Sequence, residues 1–92
     1  MNKEIIINGK SYTLKKIDFD AICLLEELGF SIGDLKGKTF SSARACFAFH
    51  SGLDLVKAGH ELEAHIKNKG KFEDFAPFIT SVIESDFFQS LS

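Results

Sequence analysis

The stretch IIINGKSYTL, Ile5 to Leu14, decides how the rest of the chain is read. Asn-Gly between two runs of β-favouring residues calls for a two-residue type I′ turn, because both central positions need φ > 0. With Asn8-Gly9 as the loop, Ile7 faces Lys10, Ile5 faces Tyr12 and Lys3 faces Leu14. Ile5, Ile7, Tyr12 and Leu14 then share one face, and Glu4, Ile6, Ser11 and Thr13 share the other. A lone two-stranded hairpin is marginal in water, so its apolar face requires a cover. Ile6, alone among polar neighbours on the outer face, is a candidate partner contact.

The cover begins at DFDAICLLEELG, residues 18–29. Asp18 suits an N-cap, and Asp20 suits the positive end of a helix. Phe19, Ile22, Cys23, Leu25 and Leu28 recur at helical spacing, while Glu26 and Glu27 face water. Gly29 stands where a left-handed residue closes a helix. The next ten residues contain Gly33 and Gly37 and read as a loop, with one short turn around Ile32 to Leu35. A second helix is predicted from about Ser41 to Gly52, with Ala43, Cys46, Phe47, Phe49 and Leu53 apolar. A third follows Asp54 to about Asn68 and is ended by Gly70. The fourth starts near Glu73 and turns Phe75, Phe78, Ile79, Val82 and Ile83 inward. Pro77 falls in its first turn, where a missing N–H costs least. The expected architecture is α+β and mostly α: one domain over 1–92, with a hairpin over 1–16 packed on a bundle of about four helices over 17–92.

Composition narrows the function. Arg44 is the one guanidinium and the formal net charge is −2, so a surface that tracks phosphates is not expected, and neither is nucleic acid. Charge alternates along the chain, positive over 1–16, negative over 17–35, positive over 36–71 and negative over 72–92. These blocks read as differently charged faces of one domain. Cys23 and Cys46 form no C-x-x-C pair and read as small core thiols in a reducing cytoplasm. No signal peptide or membrane span is expected. The 10 Phe against 1 Tyr and no Trp supply a core, with apolar surface to spare for a partner.

The stretch that most resembles chemistry is HELEAH, residues 60–65. In H-E-x-x-H two histidines lie about 40° apart on one helix face and can share a zinc ion. Here one extra residue puts them about 140° apart on the same geometry. With Leu55, Ala58, Leu62 and Ile66 marking the buried side, His65 is a boundary residue beside Glu61, and His60 points into solvent. No metal, catalytic or cofactor-binding residues are therefore expected. His50 in CFAFHSGL, residues 46–53, could serve Cys23 or Cys46 as a base, but no acid stands at a telling position to orient it, and a boundary role is expected. KNKGK, residues 67–71, reads as lysines complementing a helix C-terminus. The remaining feature is Phe87-Phe88, near a terminus that would normally fray. Phe87 lies four residues beyond Ile83 and extends its stripe, whereas Phe88 is turned away. Phe87 is expected to be mainly structural and Phe88 to be mainly a partner contact.

The order of these parts resembles the tail assembly chaperones of long-tailed bacteriophages. The resemblance is carried by the I-x-I-N-G-K-x-Y-x-L hairpin, Ile5 to Leu14, and by the helix ending L-x-E-L-G, Leu25 to Gly29. Ser51-Gly52-Leu53, Ala58-Gly59-His60-Glu61-Leu62 and Ser85-Asp86-Phe87-Phe88 add to it. Such chaperones tend to have a longer connection between the second and third helices; here Asp54 follows Gly52 almost at once, giving either a tight corner or one kinked rod. The resemblance implies a non-enzymatic protein without cofactors that works in the bacterial host cytoplasm and is not carried into the mature virion. It implies the tape measure protein as principal partner, kept soluble while tail tube subunits polymerise around it. The tail tube protein and a frameshifted longer form of the chain itself are further implied partners. The hairpin's open edges also allow self-association. The alternative is a generic small interaction module or regulator from a mobile element.

Overall fold

The computed structural model describes residues 4–30 and 39–90, and the side chains of all of these but Thr39, Phe87 and Phe88. Lys3 and the short turn expected around Ile32 to Leu35 lie outside the described residues. Strands β1 (Glu4–Ile7) and β2 (Lys10–Thr13) form an antiparallel hairpin. Ile7 pairs with Lys10 and Ile5 with Tyr12, the register that the Asn-Gly turn dictates. Asn8 and Gly9 both take the left-handed backbone, at φ 52° and 77°. Ile5 and Ile7 are buried and Tyr12 and Leu14 half-buried, while Glu4, Ile6, Ser11 and Thr13 are exposed.

Among the described residues four helices of eight or more residues follow: α1 (Phe19–Glu27), α2 (Thr39–Ser51), α3 (Leu55–Lys67) and α4 (Ala76–Ile83). A 3-10 turn at Phe72–Phe75 leads into α4, and a five-residue helix, α5 (Asp86–Ser90), follows it. Local chemistry sets most of the boundaries. The Asp18 carboxylate accepts from the Ala21 N–H at 2.9 Å, and the Asp54 carboxylate from the Lys57 N–H at 2.8 Å. Gly29, at φ 108°, lets the Phe30 N–H reach back to the Leu25 carbonyl at 2.9 Å and seal the end of α1. Pro77 sits in the first turn of α4. Between α2 and α3 the chain turns at Gly52, φ 80°, so these are two helices around a tight corner and not one rod.

Helix α2 is the centre of the molecule and packs against α1, α3, α4 and β2. From Ser42 to His50 every side chain but Arg44 is buried. A helix enclosed on nearly all sides needs apolar or small residues all round, which its Ala and Phe supply. Phe47 links the layers: its ring meets Tyr12 edge-on at 5.0 Å on one side and Phe78 at 5.2 Å on the other. Ile7, Leu25, Phe30 and Val82 complete the fully buried set.

The structure corrects several expectations. On α1 the buried residues are Ala21, Ile22 and Leu25. Phe19 and Cys23 lie more than about 100° around the helix from that stripe and are exposed, so Cys23 is not a core thiol. Ile66 is also exposed, at the outer end of the α3 stripe. Lys69, at φ 70°, takes the left-handed position after α3 that Gly70 was expected to fill. Gly70 is needed for another reason: a Cβ there would collide with the ring of His65. The fourth helix is interrupted at Glu84-Ser85, so the four-residue spacing from Ile83 to Phe87 does not continue one stripe. Among the described residues no helix is long and apolar enough to cross a membrane.

Candidate functional site

HELEAH is where the structure departs furthest from metal chemistry. His60 is exposed on α3, while Glu61 and His65, one turn apart, both face the hairpin. The Asn8 backbone N–H donates to Nδ1 of His65 at 2.8 Å. Because Nδ1 accepts, the ring proton sits on Nε2, which donates to Oδ2 of Asp74 at 2.8 Å. Asp74 also accepts from the Lys71 N–H at 3.0 Å. The His65 bond first, and then that N–H, hold its carboxyl below the usual range. Glu61 accepts from the Asn8 side-chain amide at 2.8 Å and from Nζ of Lys10 at 2.6 Å. The Lys10 bond, followed by the Asn8 bond, lowers the Glu61 carboxyl. The motif that resembles a zinc site is thus a clasp on the Asn8-Gly9 turn. Among the described residues no group of three or more His, Cys, Asp or Glu is placed to hold a metal ion.

His50 does the same work elsewhere. It is buried, not at a boundary, and its Nδ1 accepts from the Lys15 N–H at 2.9 Å. Its Nε2–H donates to Oγ of Ser81 at 2.9 Å, and that hydroxyl donates to the Phe78 carbonyl at 2.9 Å. Burial, then the nearby Lys15 charge, lower its pKa to about 4, against a smaller opposing pull from the Phe78 carbonyl. Cys46 is buried in α2, and burial pushes its thiol up to about 12. An imidazole with both nitrogens engaged and a protonated thiol are poor candidates for base and nucleophile. His50 and Cys46 are held as structural groups.

The features that remain available are apolar and outward-facing. Ile6 is 54% exposed on the hairpin's outer face, as its alternation demands. The side chains of Phe87 and Phe88 lie outside the described residues; their backbone is in α5. A third place was not anticipated from the sequence. Where the start of α2 meets the far end of α3, an open groove of about 290 Å³ is walled by Phe40, Ala43, Arg44, Leu62 and Ile66 and floored by Phe75. Phe40 is 77% exposed, with its ring edge-on to Phe72 at 4.9 Å. Gly59 faces Arg44 across the groove: a Cβ at Gly59 would lie 3.5 Å from Arg44 Cδ, in ordinary van der Waals contact. The available signal was Phe40 at the start of a helix together with Ile66 at the end of the next, but pairing them requires knowing that the helices fold back on each other. No protein-family model, characterised protein or solved structure matches the chain.

Proposed function

We propose that this protein is a tail assembly chaperone of a long-tailed bacteriophage or prophage, which binds the tape measure protein and keeps it soluble during assembly of the tail tube. In this reading it acts by binding and not by catalysis, in the bacterial host cytoplasm, and is left out of the mature virion. The tail tube protein and a frameshifted longer form of the chain are its secondary partners. The motif order from Ile5 to Phe88 supports the family. The observation that carries the reading is the apolar surface left over once the core is filled: Ile6, Leu24, Phe40, Val56 and Ile66 are all 43% or more exposed. Exposed apolar side chains of this size suit transient capture of a hydrophobic client. Phe87 and Phe88 of α5 are proposed as further client contacts.

The test is co-expression with the product of the longest tail gene of the same genome. That product is expected to become soluble and to co-purify with this chain, and Phe88→Ala is expected to fold normally yet lose that effect. A tail product that stays insoluble, with no complex recovered, overturns the reading. The alternative, an interaction module or regulator from a mobile element, draws on the same exposed side chains. A reading frame that overlaps the end of this one, upstream of a very long helical frame, favours the chaperone.

A further inference from the structure

We propose that the groove between α2 and α3 is the docking site for an amphipathic helix that carries a carboxylate beside its apolar stripe. The assignment names the contact surface for the client and in that respect rests on the reading above. Three observations define the occupant. Most of the groove's lining is apolar, with Phe40 and Ile66 exposed and Leu62 and Phe75 buried along it. Its two walls are helices that fold back on each other, Arg44 lying against Gly59 near the middle and Phe40 near Ile66 at the end. A third helix laid along such a pair buries its stripe on both, as helices do in grooves of this kind.

The third observation fixes the charge. Two charged side chains line the groove, Arg44 and Glu63. Glu63 is already paired with Lys67 at 2.8 Å, one turn along α3. Arg44 is exposed and forms no ion pair among the described residues. It is also the chain's one guanidinium, a group whose planar fork suits bidentate contact with a carboxylate. An unpaired Arg on the wall of an apolar groove flanked by Phe is the composition of an interface hot spot. An incoming Asp or Glu finds an open partner there, whereas an incoming Lys meets Arg44 and finds Glu63 occupied.

The test uses three synthetic helical peptides of identical apolar stripe, with Glu, Gln or Lys at the flanking position, titrated against the full chain by fluorescence anisotropy. The Glu peptide is expected to bind roughly tenfold more tightly than the Lys peptide, with Gln between them. Arg44→Glu, at an exposed position, is expected to invert that order, and Ile66→Asp to abolish binding of all three while circular dichroism stays unchanged. Equal binding of the three peptides, or binding indifferent to both substitutions, overturns the assignment. So does sedimentation showing a dimer that Ile66→Asp converts to monomer without any peptide bound, since the occupant is then a second copy. The two readings fail separately. If the tail product is solubilised equally well by Ile66→Asp, the groove assignment falls and the chaperone reading stands. If peptides bind as expected but the tail product stays insoluble, the chaperone reading falls and the groove stands.

Discussion

His50 and His65 present the same nitrogen, Nδ1, to two backbone N–H groups near the hairpin, one in its turn and one just beyond its second strand. In an antiparallel pair successive N–H groups point alternately toward the partner strand and away from it. With Ile7 paired to Lys10 across the turn, the Asn8 N–H points away from the ladder, while the Lys15 N–H lies two residues beyond the end of β2. His65 of α3 takes the first and His50 of α2 the second, and each passes its Nε2 proton to the C-terminal part of the chain, at Asp74 and Ser81. The hairpin is therefore fastened at its turn and just past its second strand to helices that reach it from elsewhere in the sequence.

The two histidines of HELEAH consequently differ in what they hold. His65→Ala leaves the Asn8 N–H without its partner and removes one of the two hydrogen bonds to Asp74 Oδ2, and is expected to cost about 1–3 kcal/mol. His60→Ala, at an exposed position, is expected to leave both the melting temperature and the metal content unchanged. Chemical denaturation of the two variants and metal analysis of the parent check this. Stoichiometric zinc that disappears with His60→Ala contradicts it.

Acid acts through His50. Above the ordinary histidine pKa, both the folded and the unfolded chain carry a neutral ring, and this group adds no pH dependence. As pH falls from about 6.5 toward about 4, the unfolded chain takes up a proton that the folded chain refuses, so stability falls. Below about 4 the folded ring is protonated too, and the loss from this group is complete. The total is roughly 3 kcal/mol. Urea midpoints between pH 7 and pH 4 are expected to decline in the parent and more shallowly in His50→Gln. Identical slopes in the two proteins count against the argument.

Neighbouring positions after α3 should respond in opposite directions. Lys69 is exposed and held at φ 70°, where a Cβ is a burden, so Lys69→Gly is expected to stabilise by about 0.5–1 kcal/mol. Gly70→Ala puts a Cβ into the ring of His65 and is expected to destabilise and to loosen the Asn8 clasp. Thermal melts give the sign of each. The His65 ring resonances in two-bond proton–nitrogen spectra report whether the Nε2–H tautomer survives.

Ile6, Ser11 and Thr13 keep outward backbone N–H groups that no histidine covers. At least one of these edges is expected to pair, with a second copy or with a client strand. Amide exchange at these three residues is expected to slow as protein concentration rises or when client is added. Exchange as fast as in loops under every condition shows that neither edge is used.

What the sequence revealed was local. Asn8-Gly9 dictated the register because a type I′ turn is specified by two adjacent residues, and Asp18, Gly29 and Asp54 marked helix ends for similarly short-range reasons. The rotation of α1 was hidden because Phe19 and Cys23 are apolar, and which apolar residues win burial depends on where a neighbouring helix lies. The clasp was hidden because Asn8 and His65 are 57 residues apart. The groove required knowing that Arg44 of one helix meets Gly59 of the next. Left-handed Lys69 followed from a helix end that Gly70 could close sterically but did not close by its own backbone angle.

The separation between Asn8 and His65 also sets an order of events on the ribosome. Synthesis proceeds from the N-terminus at about 5–20 residues per second, so His65 is made on the order of 3–11 s after Asn8. A hairpin forms within microseconds, long before either imidazole that fastens it has been translated. For that interval Ile5 and Ile7 lack the helices that cover them, and a hairpin alone is marginal in water. The Lys15 bond can form only once His50, 35 residues downstream, has been made, and the Asn8 bond only once His65 has been made. A strand-shaped segment of another nascent chain therefore meets its best opportunity to pair with this protein while both are still being made.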